Sequence, residues 1–85
     1  MPPILMYATA ICPFCVQAER LLRSRGVADI AKVRVDLEPA LRQEMMQKTG
    51  RRTVPQIYIG EVHVGGYDDL VALDRAGKLE PLLAA

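Results

Sequence analysis

At 85 residues, 51% of them apolar, the chain can close one small core and no more, so a single domain spanning residues 1–85 is expected. Eleven basic residues against ten acidic ones leave a net charge of +1, too even a balance for a nucleic-acid binder, and no run is long and apolar enough to span a membrane. Only two cysteines are present, which fits a reducing cytoplasm where disulfides are transient better than an oxidising compartment.

The first ten residues have an apolar stretch but no basic flank, and Ile4-Leu5-Met6-Tyr7 reads as a short buried strand rather than a signal peptide. It runs directly into Cys12-Pro13-Phe14-Cys15, the only cysteines of the chain, two residues apart. A helix is expected from Pro13 to Arg25. Val16, Ala18, Leu21 and Leu22 take one side of it, Gln17, Glu19, Arg20 and Arg23 the other, and Gly26 is the stop. Proline at the first helical position loses no needed N–H, so Cys12 falls at the N-cap, exposed beside unpaired amides and the positive end of the helix dipole. Those partial charges favour a thiolate. Cys15, one turn in and on the same side, should be more buried and suits a second thiol that resolves a mixed disulfide on its neighbour.

Lys32 to Asp36 alternates basic and apolar residues as a second strand. Pro39 opens another helix, with Leu41, Met45 and Met46 facing inward as core filler, and Gly50 ends it. Gln56–Ile59 and Glu61–Val64 form a hairpin around Gly60, and Gly65-Gly66 break the sheet before a helix from Asp68 to Ala76. Leu79, Leu82 and Leu83 close the core. The resulting order is βαβαββα, without repeats or low-complexity segments.

Other readings of the cysteine pair fare worse. Two chance core cysteines would not need the strand, the CxxC spacing and the helix start to coincide. Tetrahedral zinc needs four ligands, and the chain adds only His63, so no metal site is expected. A structural disulfide between residues three apart closes too small a loop to constrain much, so the bond is better suited to being made and broken.

Three motifs in order make the chain similar to a dithiol glutaredoxin of the bacterial, CPFC type: Cys12-Pro13-Phe14-Cys15, Thr53-Val54-Pro55 and Gly65-Gly66-Tyr67-Asp68-Asp69. The resemblance implies an α/β thioredoxin fold, a four-stranded mixed sheet flanked by three helices, with a cis bond before Pro55. It implies a glutathione-dependent thiol-disulfide oxidoreductase acting on glutathionylated or disulfide-containing proteins, monomeric, with no tightly bound cofactor. Glutathione is then the reducing cosubstrate, with glutathione reductase and NADPH upstream. Two alternatives belong to other classes. One is an iron–sulfur-bridged dimer, whose commoner C-G-F-S signature differs from this site at Pro13 and Cys15. The other is a thioredoxin-like reductant served by a flavoprotein reductase.

Glutathione carries two carboxylates, an ammonium and a thiol, and the chain offers a partner for each. Val54, held extended by the proline that follows, can present its N–H and C=O to the cysteinyl part. Gly66 permits close backbone approach, and the amides at Tyr67, Asp68 and Asp69 can hold the γ-glutamyl carboxylate while an aspartate takes the ammonium. By position in the family pattern, Arg42 resembles the residue that meets the glycyl carboxylate. Arg51 and Arg52 are the further candidate cations, though for a lone surface arginine the solvated-face reading is favoured. Thr9 stands where many relatives carry a lysine, which removes one positive charge from the thiolate's surroundings. Tyr67 stands where many have an additional cysteine, and Phe14 keeps the ring of the commoner tyrosine. His63 is given no catalytic role.

Overall fold

The computed structural model describes residues 1–85 and contains eight elements: β1 (Ile4–Ala8), α1 (Pro13–Ser24), β2 (Ala31–Arg34), α2 (Pro39–Thr49), β3 (Gln56–Ile59), β4 (Val62–Gly65), α3 (Tyr67–Arg75) and α4 (Leu79–Ala84). The strands form one mixed sheet in the order β2-β1-β3-β4. β1 is parallel to β2 and antiparallel to β3, and β4 returns antiparallel to β3. This is the expected thioredoxin-type sheet.

β1 carries apolar residues at every position because both of its faces are covered. Ile4, Met6 and Ala8 point into the larger core with Ala18, Leu22, Ile57, Ile59, Leu70, Leu79 and Leu83. Tyr7 points the other way, into a smaller core with Val35, Met45 and Tyr58 under α2. The period-two alternation of a strand thus sorts one short sequence between two hydrophobic layers.

Several boundaries differ from expectation. Leu79, Leu82 and Leu83 lie on a fourth helix, α4, where three helices were expected; Pro81 is tolerated because it occupies the first turn. Val16 was placed on the inward side of α1 but is 54% exposed. The buried stripe of that helix is Cys15, Ala18 and Leu22, at helical spacing, and Val16 lies off it. β2 ends at Arg34, two residues early, although Val35 remains buried and donates its N–H to the Ala8 carbonyl at 3.0 Å. β4 runs one residue later than expected, to Gly65, because a bulge between Ile57 and Tyr58 shifts its register. α3 starts at Tyr67 and ends at Arg75, one residue before the expected bounds at each end.

One part-buried polar contact ties the smaller core to α2. The Tyr7 hydroxyl donates to Glu44 Oε2 at 2.8 Å. Burial first, and then this carboxylate, push the Tyr7 phenol up to about 12. The raised folded value means that the contribution of Tyr7 to stability is complete below the ordinary phenol range, near 10, and is lost as pH rises toward 12. Tyr7→Phe should therefore remove a late step from the near-ultraviolet phenolate titration and flatten stability at alkaline pH. Its neutral-pH stability should fall by about 1 kcal/mol in urea unfolding. A late step that survives in this variant would assign it to another tyrosine.

Candidate active site

The two cysteines are placed by the sheet and capped by the helix. β1 ends at Ala8, and the loop that follows is held by Asp36, which accepts the Ala10 N–H at 3.1 Å while Arg34 grips its two oxygens at 2.8 and 2.7 Å. Pairing with Arg34, and then the Ala10 amide, hold the Asp36 carboxyl well below the usual range. The chain then enters α1 with Cys12 in an extended N-cap conformation (φ −149°, ψ 95°) and Pro13 in the first turn.

Cys12 and Cys15 are joined in a disulfide, which is the oxidised form of the pair, with Cα atoms 5.2 Å apart. The Cys15 amide donates to Cys12 Sγ at 3.1 Å. This is an N-cap hydrogen bond with sulfur as acceptor, and it is worth most when that sulfur is an anion. Cys15 is the more buried residue, as expected, but the difference is small: 5% exposure against 9% for Cys12. Cys12 was expected to be exposed. Its sulfur is covered by its bond to Cys15 and by the Val54 carbonyl, 3.9 Å away, which lies on the segment leading into the cis Val54–Pro55 bond.

A groove of about 330 Å³ opens on that side, lined by Phe14, Arg51, Thr53, Val54, Pro55, Gly66, Tyr67, Asp68 and Asp69. Phe14, more than half exposed, and Tyr67 stack across its mouth with ring centroids 6.1 Å apart. The structure therefore brings together Phe14, the Thr53-Val54-Pro55 segment and the Gly66–Asp69 helix start, from three separate parts of the chain. Besides the two cysteines, two of the expected glutathione contacts lie outside this lining. Thr9 faces a second hollow of about 200 Å³ on the other side of the disulfide, with Cys12, Cys15, Val16, Lys32 and Arg34 among its walls. Arg42 donates to the Arg52 carbonyl at 3.3 Å, at the entry to the Thr53 segment.

Arg51, one of the candidate cations, lines the groove and stays exposed, but its guanidinium is paired. Its Nη1 meets Asp69 Oδ2 at 2.8 Å, and the same oxygen accepts the Gly66 N–H at 2.9 Å. Nothing local announces a pairing across 18 residues. The contact fixes Gly65 as well: at φ 110° a side chain would be strained, and an added Cβ would lie 2.8 Å from Asp69 Cγ and 3.1 Å from Arg51 Nη1. With Asp69 occupied in this way, Asp68, exposed on the groove wall, is the carboxylate open to a ligand.

A thiol pair at a helix N-terminus, facing an extended segment and a ligand-sized groove, defines a thiol-disulfide oxidoreductase of thioredoxin fold. The glutaredoxin family model matches residues 4–64. A glutaredoxin of Pseudomonas aeruginosa is 55% identical over 85 residues, covering 100% of both chains. Glutaredoxin 3 of Escherichia coli strain K12 is 46% identical over 83 residues, covering 98% of this chain and 99% of that one. The solution structure of a glutaredoxin from Brucella melitensis superposes with a TM-score of 0.84 at 46% identity, over 98% of this chain and 89% of that one. The crystal structure of a buckwheat glutaredoxin–glutathione complex gives 0.88 at 33% identity, over 96% and 76%. The chain belongs to the glutaredoxin family, and it is an oxidoreductase.

Pairing with Arg51, and then the Gly66 amide, lower the Asp69 carboxyl pKa. The small, solvent-screened stabilisation this provides is present above the ordinary carboxylate range and is lost as pH falls through the lowered value. Arg51→Ala should raise the Asp69 titration midpoint toward the ordinary value in a carboxyl-resolved NMR titration. An unchanged midpoint would assign the effect to the Gly66 amide alone.

Proposed function

We propose that the groove takes the glutathionyl half of a mixed disulfide and sets its sulfur against Cys12. The observation that carries this reading is the position of the Val54 carbonyl, 3.9 Å from Cys12 Sγ and on the groove wall, so a peptide lying along Val54 has its cysteinyl sulfur beside the nucleophile. The extended edge of Thr53 and Val54 pairs with the cysteinyl backbone, and Phe14 and Tyr67 cover the apolar middle of the ligand. The first amides of α3, from Tyr67 to Asp69, receive the γ-glutamyl carboxylate, and Asp68 takes the ammonium. Arg42, tied to the same segment through the Arg52 carbonyl, is the cation for the glycyl carboxylate.

The chemistry follows in balanced steps. Cys12 thiolate attacks the glutathione sulfur of a protein–glutathione disulfide. The Cys12–glutathione bond forms as the protein–sulfur bond breaks, and the protein leaves as a thiolate that takes a proton from water. A second glutathione thiolate then attacks the bound glutathione sulfur, releasing glutathione disulfide and restoring Cys12. With a protein disulfide as substrate, Cys12 forms a mixed disulfide with one protein sulfur. Cys15 thiolate then displaces it, leaving the Cys12–Cys15 bond of the oxidised form and a reduced protein. Two glutathione molecules restore the dithiol. This reading treats the enzyme as a monomer in a reducing cytoplasm, with glutathionylated and disulfide-containing proteins as its substrates and no resident cofactor.

Reduction of a glutathionylated peptide with glutathione as reductant, compared with thioredoxin reductase as the electron source, tests the reading; preference for the reductase would overturn it. Cys12→Ser should abolish both activities. Cys15→Ser should keep deglutathionylation, because glutathione itself can resolve the mixed disulfide, and lose most protein-disulfide reduction. Equal loss of the two in Cys15→Ser would contradict the assigned roles.

Thr9 and Arg42 separate thiolate activation from ligand anchoring. Thr9→Lys would place a cation in the hollow that Cys12 also lines, so thiolate absorbance should appear at lower pH, by about one unit or less at a solvated site. Arg42→Ala should raise the KM for glutathione by several-fold, in keeping with the loss of roughly 1 kcal/mol from an exposed charge contact, and leave the thiol titration in place. Wild-type glutathione dependence in Arg42→Ala would remove Arg42 from the site.

A further inference from the structure

Gln56 is the one wholly buried polar side chain of the chain, and the groove segment is hung from it. It follows Pro55 directly, and its side chain turns back to Thr53. Its Nε2 donates to the Thr53 carbonyl at 3.0 Å and lies 3.4 Å from the Thr53 hydroxyl, while its Oε1 lies 2.8 Å from His63 Nε2. The two oxygens of Thr53 fix which end of the amide is nitrogen. His63 Nε2 must therefore carry a proton and donate to Gln56 Oε1. The imidazole is itself immobilised: it stacks on Tyr58 with centroids 5.0 Å apart, and the Lys48 ammonium sits 4.7 Å from the Tyr58 ring centroid. Burial keeps the His63 pKa below its ordinary value, so the neutral Nε2–H form is the donor near neutral pH.

We infer that Gln56 and His63 are positioning residues for thiol transfer, with His63 fixing the Gln56 amide and the amide holding the Thr53–Val54 edge at the height where it meets the substrate. The inference rests on the reading that this edge pairs with the glutathionyl group. Alternate sides of the bulged hairpin supply the two residues: Gln56 lies on β3 and His63 on β4. The groove edge is thus set from the α2 side of the sheet, away from the cysteines, and neither residue need touch ligand. A buried amide left with either end unpaired loses its water without a replacement partner, which favours a rearranged segment over the one seen.

Three variants test the device. His63→Phe keeps a ring over Tyr58 and removes the donor, and it should raise the KM for a glutathionylated peptide about tenfold with kcat little changed. His63→Gln removes the ring and restores an N–H donor, and it should keep KM within about twofold of wild type. Gln56→Met, of similar length and without polar atoms, should match His63→Phe. Because the Cys15 amide and the α1 terminus are untouched, the Cys12 thiolate titration should coincide in all of them.

Nitrogen-15 spectra of the substrate-free proteins provide a readout that does not depend on the ligand. The Thr53 and Val54 amide signals should move in His63→Phe and Gln56→Met and stay near their wild-type positions in His63→Gln. Equal effects in the two His63 variants, or unmoved Thr53 and Val54 signals in both His63→Phe and Gln56→Met, would overturn the inference. Indifference of the wild-type enzyme to the glutathionyl group would instead sink the groove reading, and the substrate-free spectra would still decide whether the amide holds the edge.

Discussion

The hydrogen bond from the Cys15 amide to Cys12 Sγ is the contact on which the rest of the site depends. It exists because Cys12 is an N-cap and not a helical residue, and Cys12 is an N-cap because Pro13 starts the helix there. An amide that would otherwise be an orphan of the first turn is turned toward sulfur. The helix dipole acts in the same direction, so one backbone arrangement both stabilises a thiolate and sets the second thiol at bonding distance from it. The sheet's part is to deliver this helix start to a fixed place, and the doubly covered β1 strand, with the Asp36 grip on the loop that follows it, does so.

The parts of the site that were legible in the sequence are those whose chemistry is local. Cys12 to Cys15, Thr53 to Pro55 and Gly65 to Asp69 each carry their geometry within a few residues: a proline that starts a helix, a proline that follows an extended residue, and glycines that admit a bulge and a close approach. What escaped were relations between segments. Arg51 and Asp69 meet across 18 residues, and the Gln56 amide is oriented by a ring on the neighbouring strand. Neither pairing leaves a local signature, since an arginine before a strand and a histidine within one are both common on ordinary surfaces. Val16 departs from expectation for the same reason: it is apolar, yet it lies off the Cys15–Ala18–Leu22 stripe and borders the hollow beside the disulfide.

Electrostatics divide the surroundings of the disulfide into two unlike sides. On the groove side, Arg51 is committed to Asp69, and the exposed charge left on the wall is the carboxylate of Asp68. On the Thr9 side, Lys32 is paired with Glu19, and Arg34 with Asp36. The cations lining both sides are already partnered, and exposed pairs of this kind contribute little field at a distance. The cation missing at Thr9 is therefore not replaced by a nearby free charge. What the structure sets against Cys12 Sγ is the short-range donor of the helix start.

That division assigns separate tasks to separate parts of the backbone. The start of α1 donates to the Cys12 sulfur, and the start of α3 lies on the groove wall some distance from it. The Thr53–Val54 segment lies between them, with one carbonyl against Cys12 and an edge along the groove. If a substrate pairs with that edge as proposed, a displacement of this segment would misplace its sulfur without altering the donors around Cys12. Its support is correspondingly the most heavily built part of the site. Arg51 anchors the chain before it to α3, Arg42 holds the Arg52 carbonyl, and Gln56 closes the turn from within the sheet. On the proposed reading, reactivity is set by two residues of one helix, whereas the placement of a substrate is distributed over the residues that hold the Thr53–Val54 segment. Substitutions that spare the cysteines should accordingly act on substrate binding more readily than on the thiolate.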